Sequence, residues 1–289
     1  LRAWHETPPG ALDAGGTRLE GEQVKTLGID ALRHVALRRL RADPSEHRIV
    51  RSHAARVQGA RVALISGAGI SVDAGFPTFR GPGGEGLWEK VNPMVLASTQ
   101  GFLANPLRTL RWYCARRTRG LRGVPTLAHA ATAAAQDAQG ARWAGTHTQN
   151  IDGLHEVAGS RGVNRIHGSL WVWRHRDTRE LIFAPSDDMA DIPRRIDDTP
   201  AVRPGVVMFG DMVPGGVYER SIAQLDTAGV VVVVGTAAQV STLWPLLHTA
   251  RRRAHLLVEV NPEASPVTLE LGALHLPLPA GVGVPLILE

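Results

Sequence analysis

The chain predicts an α/β protein built on a doubly wound, Rossmann-like parallel sheet, and three observations carry that prediction. Five apolar runs, RVALISGAGIS (61–71), RWAGTHTQN (142–150), GVVMFGD (205–211), GVVVVVGTA (229–237) and AHLLVEVN (254–261), are the continuous kind expected of strands buried on both faces. Segments of helix length separate them. Each run also ends in small or polar residues, so polar side chains collect along one sheet edge, where such folds place a ligand crevice.

Taken in order, residues 1–23 are rich in Gly and Pro without a sustained period and read as an irregular arm. Leu32, Val35, Ala36 and Leu40 recur at helical spacing until Pro44, and residues 49–57 suit another short helix. Residues 1–51 are therefore assigned to a partly helical extension and 52–289 to the main domain. No internal repeat is present. With 289 residues, 44% of them hydrophobic, the chain can bury a large core. No apolar run reaches the ~18 residues of a membrane helix, so no membrane contact is expected. A lone cysteine, Cys114, excludes an intramolecular disulfide and suits a reducing, cytoplasmic setting. The net charge of +5 is mostly arginine, in stretches such as RHVALRRLR and ARRTRGLR, which leaves an anionic partner open while nucleic acid is not favoured.

Gly67 and Gly69 follow the first strand, where residues lacking Cβ can turn tightly and bring backbone N–H groups toward a pyrophosphate. The G-x-G-x-x-G pattern is not met, because Gly75 falls three positions late, and a plain turn remains open. Pro77 stops any helix, which puts Phe79 and Arg80 on a loop above that turn, within reach of a phosphate or ribose.

GAGISVDAGFPTFRG (67–81), TQNIDGLHE (148–156) and HGS (167–169), followed by PGVVMFGDMVP (204–214), VVGTA (233–237) and VEVNPE (258–263), resemble in order the motifs of the sirtuins, NAD-dependent protein lysine deacylases. The resemblance runs from about residue 52 to the end. It implies NAD as cosubstrate, held by Gly67, Ala68, Gly69, Ile70, Phe79 and Arg80, with Gln149 on ribose hydroxyls. It also implies that Asn150 and Asp152 hold the nicotinamide side and that His167 is the base. An imidazole with a pKa near 6.5 suits that last role at neutral pH. Gly235 and Thr236 are implied on phosphate and Asn261 with Glu263 on the adenosine ribose, although Thr236 also suits a helix N-cap. In the family the acyl oxygen of an acylated lysine attacks the ribose carbon, and nicotinamide, free lysine and O-acyl-ADP-ribose leave. Peptide substrates add as a strand beside Val207, Phe209 and Gly210.

The sequence departs from the family at three places. Ala237 stands where serine is common, and QVSTLWP replaces the usual Val-Tyr-Pro, which bears on peptide preference. The four cysteines of a structural zinc site are missing between His167 and Gly205. His175, Asp177, Asp187 and Asp188 remain as scattered donors that suit a solvated loop, so no metal is expected. Trp171, Trp173, Ile182, Phe183 and Ile192 are expected to form an apolar cluster instead, in a small inserted module of residues 77–128 and 170–203.

Tyr113 and Arg116 lie three apart on a predicted helix, NPLRTLRWYCARRTRG (105–120), and a phenol beside a guanidinium makes a carboxylate receptor. The alternative is a solvated basic face shared with Arg108, Arg111, Arg117 and Arg119. Tyr-x-x-Arg with Thr78 resembles the sirtuins that remove succinyl, malonyl and glutaryl groups. Two other classes stay open: a sirtuin-fold NAD hydrolase or ADP-ribosyltransferase, and a non-catalytic NAD or nucleic-acid binding module. The oligomeric state is not readable. Lacking thiolates, the purified protein is expected to hold no stoichiometric zinc and to keep its fold in chelator. Elemental analysis finding one tightly held zinc per chain would overturn this.

Overall fold

The computed structural model describes residues 59–79, 86–120, 123–183, 189 and 192–288. The extension 1–51, the helix expected over 49–57, Arg80, Asp187, Asp188 and the Phe183 side chain lie outside the described residues. Strand β1 (Val62–Ser66) opens the fold and passes into a 3-10 turn, Ala68–Ala74. Helices α1 (Leu87–Lys90), α2 (Pro93–Leu96), α3 (Thr99–Ala104), α4 (Pro106–Gly120) and α5 (Leu127–Gln139) lead to β2 (Trp143–Thr148). After α6 (Leu154–Val157) come β3 (Asn164–Arg165), β4 (Gly168–His175), β5 (Leu181–Phe183) and β6 (Val202–Val206). Helix α7 (Gly215–Leu225), β7 (Val230–Val234), α8 (Trp244–Arg253), β8 (Leu256–Val260), α9 (Pro266–Leu269), β9 (Leu274–Leu276) and α10 (Ala280–Leu288) complete it.

Six strands form one parallel sheet in the order β3-β2-β1-β7-β8-β9. The chain leaves β1 toward β2 on one side and leaves β7 toward β8 on the other, so the topological switch point lies between β1 and β7. Alternation along β7 explains its unbroken valines. Val231 and Val233 pack with Leu225, Leu246 and Leu247 on one face, while Val230, Val232 and Val234 pack with Ala128, Ala135 and Val284 on the other. Each face thus receives its own apolar layer.

The run GVVMFGD does not join this sheet, contrary to the sequence expectation. Its first residues end β6, which pairs with β4 in a separate three-stranded antiparallel sheet of order β5-β4-β6, and Val206 and Met208 serve that module's core. Phe102, Leu110, Tyr113, Cys114, Leu170, Trp173, Ile192 and Val202 fill the same core. Trp173 and Ile192 are thus in the expected cluster and Ile182 packs against it. Trp171 is buried elsewhere, its indole N–H donating to the Asp152 carbonyl at 2.7 Å. Arg117, expected on a basic solvated face, is 2% exposed. Its Nε donates to the Leu170 carbonyl at 2.9 Å and its guanidinium lies 5.3 Å from the Trp173 ring centroid. No helix among the described residues is long and apolar enough to cross a membrane, and none of them gather as three or more His, Cys, Asp or Glu able to hold a metal.

The loops after β1 and β7 touch backbone to backbone. A Cβ on Gly69 would stand 2.5 Å from the Gly235 Cα, and one on Gly235, at φ +60°, would stand 2.6 Å from the Gly69 Cα. Neither loop has a soft side chain there that can yield. Gly235→Ala is therefore expected to cost about 2–4 kcal/mol in urea unfolding, from overpacking added to left-handed strain. Gly75→Ala, at φ +81° with open space around it, should cost only about 1 kcal/mol. Equal losses would show that conformation alone, not the crossing, decides.

Candidate functional site

Three strand ends build the site: the turn after β1, the segment after β2 and the loop after β7. Ser71, fully buried on the 3-10 turn, donates through Oγ to Asp152 Oδ2 at 2.8 Å and accepts from Asn150 Nδ2 at 3.0 Å. Asp152 Oδ1 accepts the Leu154 amide at 3.0 Å, and the Asn150 amide donates to Thr148 Oγ1 at 3.0 Å. Both proposed nicotinamide-side groups are thereby buried and fixed. The sequence reading missed Ser71, although it lies inside the GAGIS motif.

Behind them runs a buried chain of polar groups. Ser66 Oγ donates to Thr148 Oγ1 at 2.9 Å and lies 2.9 Å from His155 Nε2, while the His129 ring packs against the His155 ring at 4.7 Å. Burial holds both imidazoles neutral, His129 with a pKa lowered to about 3 and His155 well below its ordinary value, where the neighbouring His129 and Arg165 add to burial and Asp152 opposes it.

His167 sits at the start of the HGS turn. Its Nδ1 is 3.1 Å from the Gln149 carbonyl and its Nε2 3.0 Å from Thr242 Oγ1. Burial lowers its pKa, against a smaller upward pull from the Gln149 carbonyl, so the ring is neutral at pH 7. The Gln149 amide nitrogen donates to Thr236 Oγ1 at 2.9 Å, and that oxygen also accepts the Ala238 amide at 3.2 Å. Thr236 thus closes a turn instead of capping a helix.

The glycine amides are not laid out as the sequence suggested. Gly67 donates to the Val234 carbonyl, Gly69 to Gly235, Ile70 to Gly67 and Gly235 to Val260, at 2.8–3.2 Å. Those N–H groups are engaged by protein, and the glycines serve close approach of the two loops. Ala68 does line the cleft. At the end of β8 the expected pair also divides: Asn261 bridges toward Thr236 O and Glu259 at 3.4 Å each, whereas Glu263 is exposed. The buried carboxylate there is Glu259, which accepts from Ser265 and Thr268 amides and the Thr268 hydroxyl.

The cleft is lined by Ala68, Ser71, Phe79, Arg116, Asn150 and Asp152, with Ile151 and Leu170 among its apolar walls. Phe79 stacks on Trp88 at 5.1 Å, Trp88 on Trp112 at 5.9 Å, and the Arg116 guanidinium lies 4.1 Å from the Trp112 centroid and 5.9 Å from that of Phe79. Tyr113 is not a wall residue. It is 4% exposed in the module core, where burial pushes its phenol pKa up despite the opposing pull of Arg116.

The segment after β6 is strapped down. Phe209 donates to the Ala97 carbonyl at 2.8 Å and accepts the Thr99 amide at 3.0 Å, and Val207 donates to His167 O at 2.8 Å. Both backbone groups of Phe209 are therefore turned to α3, leaving the Val207 carbonyl and Gly210 outside this pairing. Asp211 anchors the turn through Arg203, Thr99 Oγ1 at 2.6 Å and the Met208 amide at 2.9 Å.

A parallel sheet whose strand ends next to the switch point bury an amide, a carboxylate and a neutral imidazole beside a cleft defines an enzyme that acts on a nucleotide cosubstrate. The Sir2 family model matches residues 67–242, and the chain belongs to that family. It is 38% identical over 213 residues to an NAD-dependent protein deacylase of Mycolicibacterium paratuberculosis, covering 72% of this chain and 88% of the relative. Against NAD-dependent protein deacylase 1 of Archaeoglobus fulgidus it is 36% identical over 210 residues, covering 72% and 83%. A solved Sir2 homologue mutant in complex with ADP-ribose superposes with a TM-score of 0.73 at 32% identity, over 80% of this chain and 92% of that one. A Sir2 homologue bound to NAD gives 0.70 at 28% identity, over 100% and 97%.

The Asp211 carboxyl is pushed up by burial and pulled further down by its bonds from Arg203, Thr99 and Met208, so it ends below its ordinary value. A depressed folded pKa gives stability that is present above the unfolded value near 4 and is lost as pH falls through the folded one. Asp211→Asn should thus cost about 2–4 kcal/mol at pH 7, with the gap to the parent protein closing below about pH 4. Urea titrations at both pH values check this, and a gap independent of pH would remove the ionic account.

Proposed function

We propose that this Sir2-family enzyme, an NAD-dependent protein-lysine deacylase, favours acyl groups that end in a carboxylate, such as succinyl-, malonyl- and glutaryl-lysine. The observation that carries the reading is Arg116: its guanidinium lines the same cleft as Asn150 and Asp152, stacked by Trp112 and Phe79. An acyl tail entering between apolar walls Ile151 and Leu170 meets a cation that aromatic faces hold flat, suited to a charged, two-point bond with a carboxylate. Tyr113, buried behind it, supports the helix and is not the first contact.

The residues present also fit NAD. The cleft offers an amide-and-carboxylate pair for a carboxamide in Asn150 and Asp152, and Phe79 as a cover for a sugar or ring. Bound NAD supplies the ADP-ribosyl group that accepts the acyl oxygen. Ser71 holds Asn150 and Asp152 in place before any ligand arrives, so little ordering is left for the moment of binding. His167 carries its proton on Nδ1, facing Gln149 O, which reserves the Nε2 lone pair for a hydroxyl proton. Arg80, outside the described residues, joins the cofactor set through its motif alone, as the family's acylated peptides beside Val207 and Gly210 do for the substrate.

Arg116→Met should lower kcat/KM for a succinyl-lysine peptide by roughly tenfold to a hundredfold, the value of a charged hydrogen bond of ~1.5–3 kcal/mol, and leave an acetyl-lysine peptide within about twofold. Parallel losses on both peptides would reject the receptor. Nicotinamide release that ignores the peptide would favour an NAD hydrolase instead.

A further inference from the structure

We propose that Thr242 caps the base lone pair of His167 in the resting enzyme, as a positioning residue that a ribose hydroxyl of the cosubstrate must displace. The inference rests on the reading of His167 as the base. A carbonyl oxygen can only accept, so the 3.1 Å contact with Gln149 O puts the neutral ring's proton on Nδ1. Nε2 is then an acceptor, and the hydroxyl 3.0 Å away on Thr242 is its donor. The hydrogen-bond roles along this line are fully determined.

The fold places that hydroxyl deliberately. Thr242 is the middle residue of a 3-10 turn, Ser241–Leu243, within the stretch QVSTLWP that departs from the family pattern. Leu243 is completely buried and fastens the turn to the core, while Tyr218 on α7 donates its phenol hydroxyl to the Thr242 carbonyl at 2.9 Å. Two elements therefore hold the turn from opposite sides. Ala238, just upstream, is buried at φ +51°, a left-handed conformation that a non-glycine residue adopts only when its surroundings impose it.

A hydroxyl donating to Nε2 occupies the lone pair of the neutral ring, and it competes with any other hydroxyl for that lone pair. The downward shift of His167 has burial as its cause and the Gln149 carbonyl as its opponent, with no charged side chain contributing. Removing the donor should be visible at the Nε2 of this one ring.

The test uses the full chain, with imidazole 15N spectra recorded without NAD and steady-state kinetics with an acyl-lysine peptide. Thr242→Val keeps the shape and removes the donor. It should move the Nε2 resonance of the neutral ring to that of an imine nitrogen without a hydrogen-bond donor, and lower KM for NAD by about threefold to tenfold with kcat changed by less than about twofold. Thr242→Ser should restore the parent values. Tyr218→Phe, which loosens the turn without touching the ring, should move both quantities in the same direction by less. An unchanged Nε2 resonance and unchanged KM in Thr242→Val overturn the proposal, and so does a spectrum of the unaltered protein with the proton on Nε2. Should Thr242→Val not fold, that spectrum and Tyr218→Phe decide. Near-normal turnover in His167→Ala would instead sink the base reading, leaving the Thr242 contact measurable on its own by the ring's Nε2 resonance in the unaltered protein.

Discussion

The site depends on the backbone crossing of Gly69 and Gly235. Strands β1 and β7 are neighbours, yet the chain turns away from them in opposite directions, and the two turns meet directly above the strand ends. A side chain on either glycine would have to occupy the other's backbone. With none there, the amide of Gly69 reaches the carbonyl of Gly235 at 2.8 Å and that of Gly67 reaches Val234 at 2.9 Å, so the loops are sewn together by main-chain bonds. Main-chain bonds between buried loops are stiff because breaking one strands a polar group away from water.

That stiffness is transmitted sideways. Ser71 leaves the β1 turn at a fixed height and meets Asn150 and Asp152 from β2, while Thr236 leaves the β7 loop and meets Gln149. The three strand ends then behave as one polar surface, with Thr148, Ser66 and His155 packed beneath as its support. Hydroxyls and neutral imidazoles suit that support, since each satisfies a neighbour without placing a net charge in the sheet.

The sequence made the sheet legible where burial is two-sided. β1, β2, β7 and β8 read as apolar runs because helices cover both faces, while β3 and β9, of two and three residues, are too short to carry a pattern. GVVMFGD misled for the same physical reason that made the others legible: its apolar residues are buried, but in the core of the antiparallel module. Composition does not say which core. Motif order located the Asn150, Asp152 and His167 neighbourhood, since chain order fixes strand ends. It did not reveal Arg117, because an arginine in an arginine-rich helix carries no sign of the carbonyl and indole that bury it. Nor did it separate a glycine that approaches a ligand from one that approaches another glycine, since both need only the absence of Cβ.

The cleft's two charges are arranged to do different things. Asp152 has one oxygen on the Ser71 hydroxyl and the other on the Leu154 amide, so protein dipoles stabilise its charge from behind. Arg116 is handled through its faces: Trp112 and Phe79 lie against a weakly hydrated, delocalised cation whose in-plane N–H groups are its hydrogen-bonding edge. Stacking through the ring faces lowers the cost of bringing that cation to the cleft wall. An ammonium in the same place would have to surrender hydration on every side, and an aromatic face would return less of it. The aromatic series Phe79, Trp88 and Trp112 is therefore part of the electrostatics around Arg116 as much as of its packing, and it joins the helix bearing Arg116 to the loop that begins at Pro77.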